Sequence, residues 1–355
     1  MHHSSGILRR SVYLAWVVFC AAAASLWLSL PWHVGAEPSG YHLLKTYKLG
    51  GEGGWDYLGM DPDARRVFIS RATHVIVIDA DSGKVAGDIL ETPGVHGIAL
   101  VPSLNRGYIS NGRGNTVTVF DLKTLATMDH IAVGKNPDAI LYDPASNRIF
   151  TMNGGSNDAS AIDIIAGKVV GTIPLGGRPE FAVADGHFHV YVNLEDKSEE
   201  LELDSDGLKV THRWPIKGCA EPSGLAIDRD NHRLFAGCAN QVMAVMDATN
   251  GFVLTTLPIG KGVDANAFDP DTKLAFSSNG DGTLTVVHED TPYKFSVVEQ
   301  VPTQRGARTM ALDTKTHNIY LVTADFGPAP APTPEHPRPR PTILADTFVV
   351  LVFGK

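Results

Sequence analysis

Seven positions spaced about 42 residues apart carry Asp56, His96, Asp138, Glu180, Ser223, Asp264 and Arg308. Six of the seven are ionisable and four are carboxylates, so any fold that gathers them concentrates like charge. Such a set needs a cation, protonated carboxyls, or basic partners such as His96 and Arg308. Asp56, His96, Asp138 and Glu180 make an oxygen-rich ligand set with one imidazole. It suits Ca²⁺, Mg²⁺ or Mn²⁺ better than zinc or copper. The same four residues could instead divide ligand and general-base roles in acid–base or metal-assisted chemistry. The plain alternative is a water-filled polar mouth with every charge solvated or paired. The chain has no Gly-x-Ser-x-Gly elbow, no His-Glu-x-x-His, no Cys-x-x-Cys-His and no EF-type calcium loop. No nucleophile–base pair can therefore be read from it.

A repeat must position these residues. Each stands five places before the turn of a motif seen in YLGMDPDARRVFIS and AILYDPASNRIFTM: an apolar strand, a polar turn, and a second apolar strand. The turn begins at Asp61, Val101, Asp143, Asp185, Asp228, Asp269 and Asp313, and an aromatic follows at Phe68, Tyr108, Phe150, Tyr191, Phe235, Phe276 and Tyr320. Alternating runs such as His74–Asp79 and Thr116–Asp121 supply a third strand, and turns such as Ser82-Gly83-Lys84 lead into a fourth. Short strands at this period predict an all-β, seven-bladed β-propeller of four-stranded antiparallel blades. Small residues two places before the turn (Gly59, Ala99, Ala226, Ala267, Ala311) place the first strand nearest the axis.

Tyr41–Leu49 is a strand without a unit of its own, while the seventh unit has only three strands, the third at Thr347–Phe353. The N-terminal strand is therefore expected to complete the last blade. In this topology the loops entering first strands and leaving second strands share one face, the channel mouth. Trp55 and Glu221 belong to the same loops as the ring residues. Arg71, Asn111, Asn153, Asn193, Asn240 and Asn279 leave the second strands, as left-handed turn formers or as polar groups over the mouth. Asn157-Asp158 and Glu195-Asp196 are expected as exposed loop acids, and His288-Glu289-Asp290 as a solvated turn on the opposite face.

Residues 1–36 read as an export signal, with Arg9-Arg10 before the apolar run Val12–Leu30 and small residues Val34-Gly35-Ala36 for cleavage. The run is also long enough to serve as an uncleaved membrane anchor. Cleavage removes two arginines and no acid, taking the charge from −9 to −11. That balance repels phosphate backbones, so nucleic acid is not an expected partner. Cys219 and Cys238 then remain, on two loops of one blade and one face, which allows a disulfide in an oxidising compartment. Residues 326–341 hold seven prolines and interrupt blade seven on the mouth face, as an extended segment that could cover the mouth or dock a protein.

Pro before the inner strand (Pro137, Pro179, Pro222), an Asp-Pro turn and an Ile-Asp-x-x-x-Gly-Lys hairpin resemble the YVTN-type seven-bladed propellers, and the YncE-like secreted proteins among them. The resemblance covers residues 41–355 and implies the propeller fold and a periplasmic or secreted location. Its relatives include lactonases, quinoprotein amine dehydrogenase propellers and binding proteins. The expectation is an exported monomer that binds a small ligand or cation at the mouth through Trp55, Asp56, His96, Asp138, Glu180, Glu221, Asp264 and Arg308. A lactonase-like hydrolase or quinoprotein-like oxidoreductase using the same residues is the alternative. The DNA-binding members of the group are not carried over, given the −11 charge.

Overall fold

The computed structural model describes residues 39–331, 333, 339 and 341–355. The expected export segment, residues 1–36, lies outside them.

The turn aspartates explain the hairpins. Asp61 accepts from the backbone N–H of Asp63 and Ala64, Asp143 from Ala145 and Ser146, Asp269 from Asp271, and Asp313 from Lys315. Each side chain thereby replaces a backbone acceptor and reverses the chain. A second aspartate column does the same after the third strand: Asp121 takes Lys123 and Thr124, and Asp163 takes Ile165 and Ala166. Two of the three hairpins in a blade are thus encoded by one residue each. The result is seven four-stranded antiparallel sheets, each with its first strand at one edge. First strands of successive blades lie side by side around the channel. The aromatic column is buried throughout, and Phe68 packs on Phe120 of the next blade at 5.8 Å as Phe235 does on Phe268 at 5.2 Å.

Closure follows expectation. Blade 7 consists of Met310–Asp313, Asn318–Thr323, Val349–Gly354 and, as its outer strand, His42–Lys48. His42 pairs with Gly354 and Lys48 with Val349. Tyr41 caps this strand: its ring lies edge-on to Phe276 at 5.1 Å and its hydroxyl donates to the His317 carbonyl at 2.7 Å. The third strand starts at Val349 rather than Thr347, because the Thr347 hydroxyl donates to the Leu344 carbonyl in a turn. The Cys219–Cys238 disulfide is present, with a Cα–Cα distance of 5.4 Å.

Two expectations change. His288-Glu289-Asp290 is not a solvated turn: the strand Thr283–Thr291 runs through it, and Glu289 is buried beside Asn231. Asp158 and Glu195 are half-buried rather than exposed, Asp158 accepting from Asn153 and Glu195 pairing with Arg178.

Tyr41 joins the N-terminal strand to the blade 6–7 core, so Tyr41→Ala should cost ~3–5 kcal/mol in equilibrium unfolding. Leu43→Ala, at a half-exposed position of the same strand, should cost under ~1 kcal/mol. Equal effects would contradict the closure described here.

Candidate functional site

The ring residues reach the mouth through a recurring irregularity. In blade 2, Val95 pairs with Asn111 and Ile98 with Ile109, so His96 and Gly97 together face Ser110. Asp138-Ala139, Glu180-Phe181 and Ser223-Gly224 are doubled in the same way, and in blade 6 Asp264 is the extra residue. A bulge of this kind bends the strand and re-aims a side chain. Asp56 and Arg308 precede the shorter inner strands of blades 1 and 7. The backbone at the mouth is held by side chains of the same blade and of the preceding one. Ser110 accepts from Gly97 N–H at 2.8 Å and donates to the Asp138 carbonyl; Asn193 donates to the Ser223 carbonyl at 2.7 Å, and Ser278 to that of Arg308. The second bulge residue must be small where blades approach: a Cβ on Gly224 would stand 2.6 Å from the backbone of Ala265.

Below the ring the same column reads Tyr57, Gly97, Ala139, Phe181, Gly224, Ala265 and Thr309. Its two aromatics meet across the channel, with ring centroids 5.4 Å apart, and the Tyr57 hydroxyl donates to the Glu180 carbonyl at 3.2 Å. They turn the mouth into a cup of about 520 Å³, lined by Trp55, Asp56, His96, Asp138, Glu180, Asp264 and Arg308. Arg113 and Arg178 also line it. The sequence reading missed these two arginines and the aromatic pair.

The charges are only partly matched. Arg308 pairs with Asp264 at 3.0 Å, and Ser223 donates to the same carboxylate at 3.3 Å. His96 Nδ1 lies 2.5 Å from Asp56 and 3.6 Å from Asp138. The Glu180 carboxylate has no hydrogen bond or ion pair among the described residues. Burial pushes Asp138 up to about 7; the His96 charge opposes the shift, and Glu180, Asp56 and Asp264 add to it. Burial and then the Asp264 charge raise Glu180 to about 7. Burial works against a charged His96, yet the Asp56 hydrogen bond and the surrounding carboxylates leave its pKa raised. Burial, with the carboxylates after it, drives the Tyr57 pKa far up, so its phenol stays neutral. Asp56, His96 and Asp138 each offer one ligand atom within 4.8 Å of the others, a spacing that could hold a metal ion. Glu180 faces the cup but stands outside that trio.

Other candidates lie elsewhere. Glu221 is exposed, outside the cup, in a left-handed conformation with φ of 48°. Asn111, Asn153 and Asn279 are buried and bond to Thr or Ser of their own third strands. Asn240 braces the disulfide loop through Gly218 and Ala220. Arg71 stacks on Phe348 at 3.7 Å and donates to the Glu52 carbonyl. These side chains fasten blades and loops; they do not line the mouth.

No protein-family model and no curated protein matches the chain. Among solved structures, a chain of Kuenenia stuttgartiensis hydrazine synthase is similar, with a TM-score of 0.67 at 18% identity. The match covers 76% of this chain and 92% of that one. At this identity the likeness is one of fold.

Asp138, Glu180 and His96 are all raised, so the folded protein holds protons that the unfolded chain has released. Their stability contribution is full near ~pH 4, lost for the carboxyls as pH rises toward about 7, and lost for His96 above its ordinary value. The wild type should therefore lose on the order of 2–4 kcal/mol more than Asp138→Asn/Glu180→Gln between ~pH 5 and ~pH 8. Both proteins keep Glu289, which burial on the opposite face also raises to about 7, so the difference isolates the mouth. Parallel stability–pH curves from denaturant unfolding would contradict this electrostatic account.

Proposed function

We propose that this chain is an exported propeller, similar to the YncE-like proteins, that holds a divalent cation at the channel mouth and presents it to a small ligand in the cup. The observation carrying this reading is the convergence of Asp56, His96 and Asp138 from three blades, one ligand atom from each within 4.8 Å of the others. The charge balance supports it. Arg308 answers Asp264 and His96 lies closer to Asp56 than to Asp138, while burial still raises Asp138 and Glu180 to about 7, a cost that a bound cation would relieve. Two carboxylates with one imidazole suit Mn²⁺; Ca²⁺ and Mg²⁺ are the oxygen-preferring alternatives. The disulfide fits an oxidising compartment and so supports export.

One observation favours a second reading, acid–base catalysis such as lactone hydrolysis. Glu180, at about 7, faces the same cup as the neutral Tyr57 phenol, and a carboxyl near neutrality can take or give a proton.

Isothermal titration of Mn²⁺, Ca²⁺ and Mg²⁺ into metal-free protein tests the first reading. About one Mn²⁺ per chain should bind, and Asp138→Asn or His96→Gln should weaken it at least ~10-fold. Absence of binding for all three ions contradicts the cation site. Lactone turnover that Glu180→Gln abolishes without altering ion affinity would favour the catalytic reading.

A further inference from the structure

Beside the cup lies a second cavity of about 380 Å³, with Trp55, Gly54 and Arg308 in the walls of both. Its remaining lining includes Arg305, Phe326, Pro341 and Ile343. These belong to the loop entering blade 7 and to the two ends of the proline-rich excursion. The excursion is pinned where it leaves the blade. Phe326 bridges Ile343, Gly327 N–H donates to the Thr342 carbonyl at 2.8 Å, and Leu344 N–H to that of Asp325 at 2.9 Å. Its ends therefore form a fixed wall. Phe326 sits against Trp55 with ring centroids 6.0 Å apart.

The chemistry of this slot differs from that of the cup. Trp55 and Phe326, their rings tilted 53° to each other, provide apolar surface with Pro341 and Ile343, and a ring face of this kind favours a planar ligand. Arg305 provides positive charge: it is exposed, its guanidinium stands 5.7 Å from the Phe326 ring centroid, and it has no carboxylate partner among the described residues. Its backbone is fixed, since Thr323 donates to the Arg305 carbonyl at 2.7 Å. Gly306 beside it lets the Phe326 ring lie directly against this loop. A Cβ on Gly306 would stand 2.6 Å from the Phe326 ring.

We infer that this slot is a subsite for a flat aromatic anion, its ring on the Trp55–Phe326 surface and its carboxylate on Arg305. The inference rests on the mouth being a ligand site and adds the class of ligand: an aromatic carboxylate beside the cation. Phe326, Pro341 and Ile343, at the two ends of the proline-rich excursion, then serve as a wall of that site.

Calorimetry with 2-naphthoate, 2-naphthol and 2-naphthylmethylamine tests it, each with Mn²⁺ and again with a chelator. The carboxylate should bind at least tenfold tighter than the alcohol and the amine. Arg305→Ala and Trp55→Ala should each weaken it tenfold or more. Arg305 is exposed, so its variant should fold and should bind Mn²⁺ as the wild type does. Naphthoate binding that ignores Arg305→Ala, or preference for the amine, overturns the inference, as does failure of naphthoate to bind. Arg305-dependent naphthoate binding without Mn²⁺ binding upholds the slot and removes the cation reading.

Discussion

One backbone ladder closes the ring. The pairing of His42–Lys48 with Val349–Gly354 joins the first described strand to the last and completes the seventh blade. Closure also covers the outer edge of Val349–Gly354, which would otherwise offer unpaired N–H and C=O groups. The pairing spans most of the sequence, so the chain entropy it costs must be offset by contacts made elsewhere. Tyr41, buried in the core shared by blades 6 and 7, is one of them. Residues from different blades can act as one site only once that geometry is set.

Within the ring, the bulges convert a structural repeat into a functional one. Each doubles the inner strand at the mouth, lifting His96, Asp138, Glu180 and Ser223 out of the regular ladder. Ser110, Asn193 and Ser278, each on the preceding blade, donate to the mouth carbonyls of Asp138, Ser223 and Arg308. Tyr57 and Phe181 floor the opening. The consequence is electrostatic: a half-buried cup in which burial and mutual repulsion hold two carboxyls near neutrality instead of at their ordinary values.

Much of this was legible in the sequence because the repeat acts as a ruler. Any offset from Asp61, Asp143 or Asp228 reads out one level of the ring, and the level five residues earlier gave the charged mouth. The aromatic floor stood one column further in, where Tyr57 and Phe181 interrupt Gly, Ala and Thr; large apolar residues in a β protein draw no attention until the column is read across the channel. The asparagines misled for a physical reason. Asn after a strand usually marks a turn, whereas Asn111, Asn153 and Asn279 spend their amides on the next strand of their own blade. Arg113 stands on a loop whose course no column specifies, and Arg178 stands in a column otherwise filled by Gly, Asn and Glu221. Glu289 was misplaced because its strand extends beyond the repeat length, to Thr291.

Anomalous diffraction at the manganese edge, from crystals grown with Mn²⁺, decides whether the mouth holds a cation. One strong peak is expected there, about 2.0–2.4 Å from a carboxylate oxygen of Asp56, a nitrogen of His96 and a carboxylate oxygen of Asp138. A fully occupied peak elsewhere on the protein, with the mouth occupied only by water, would contradict it.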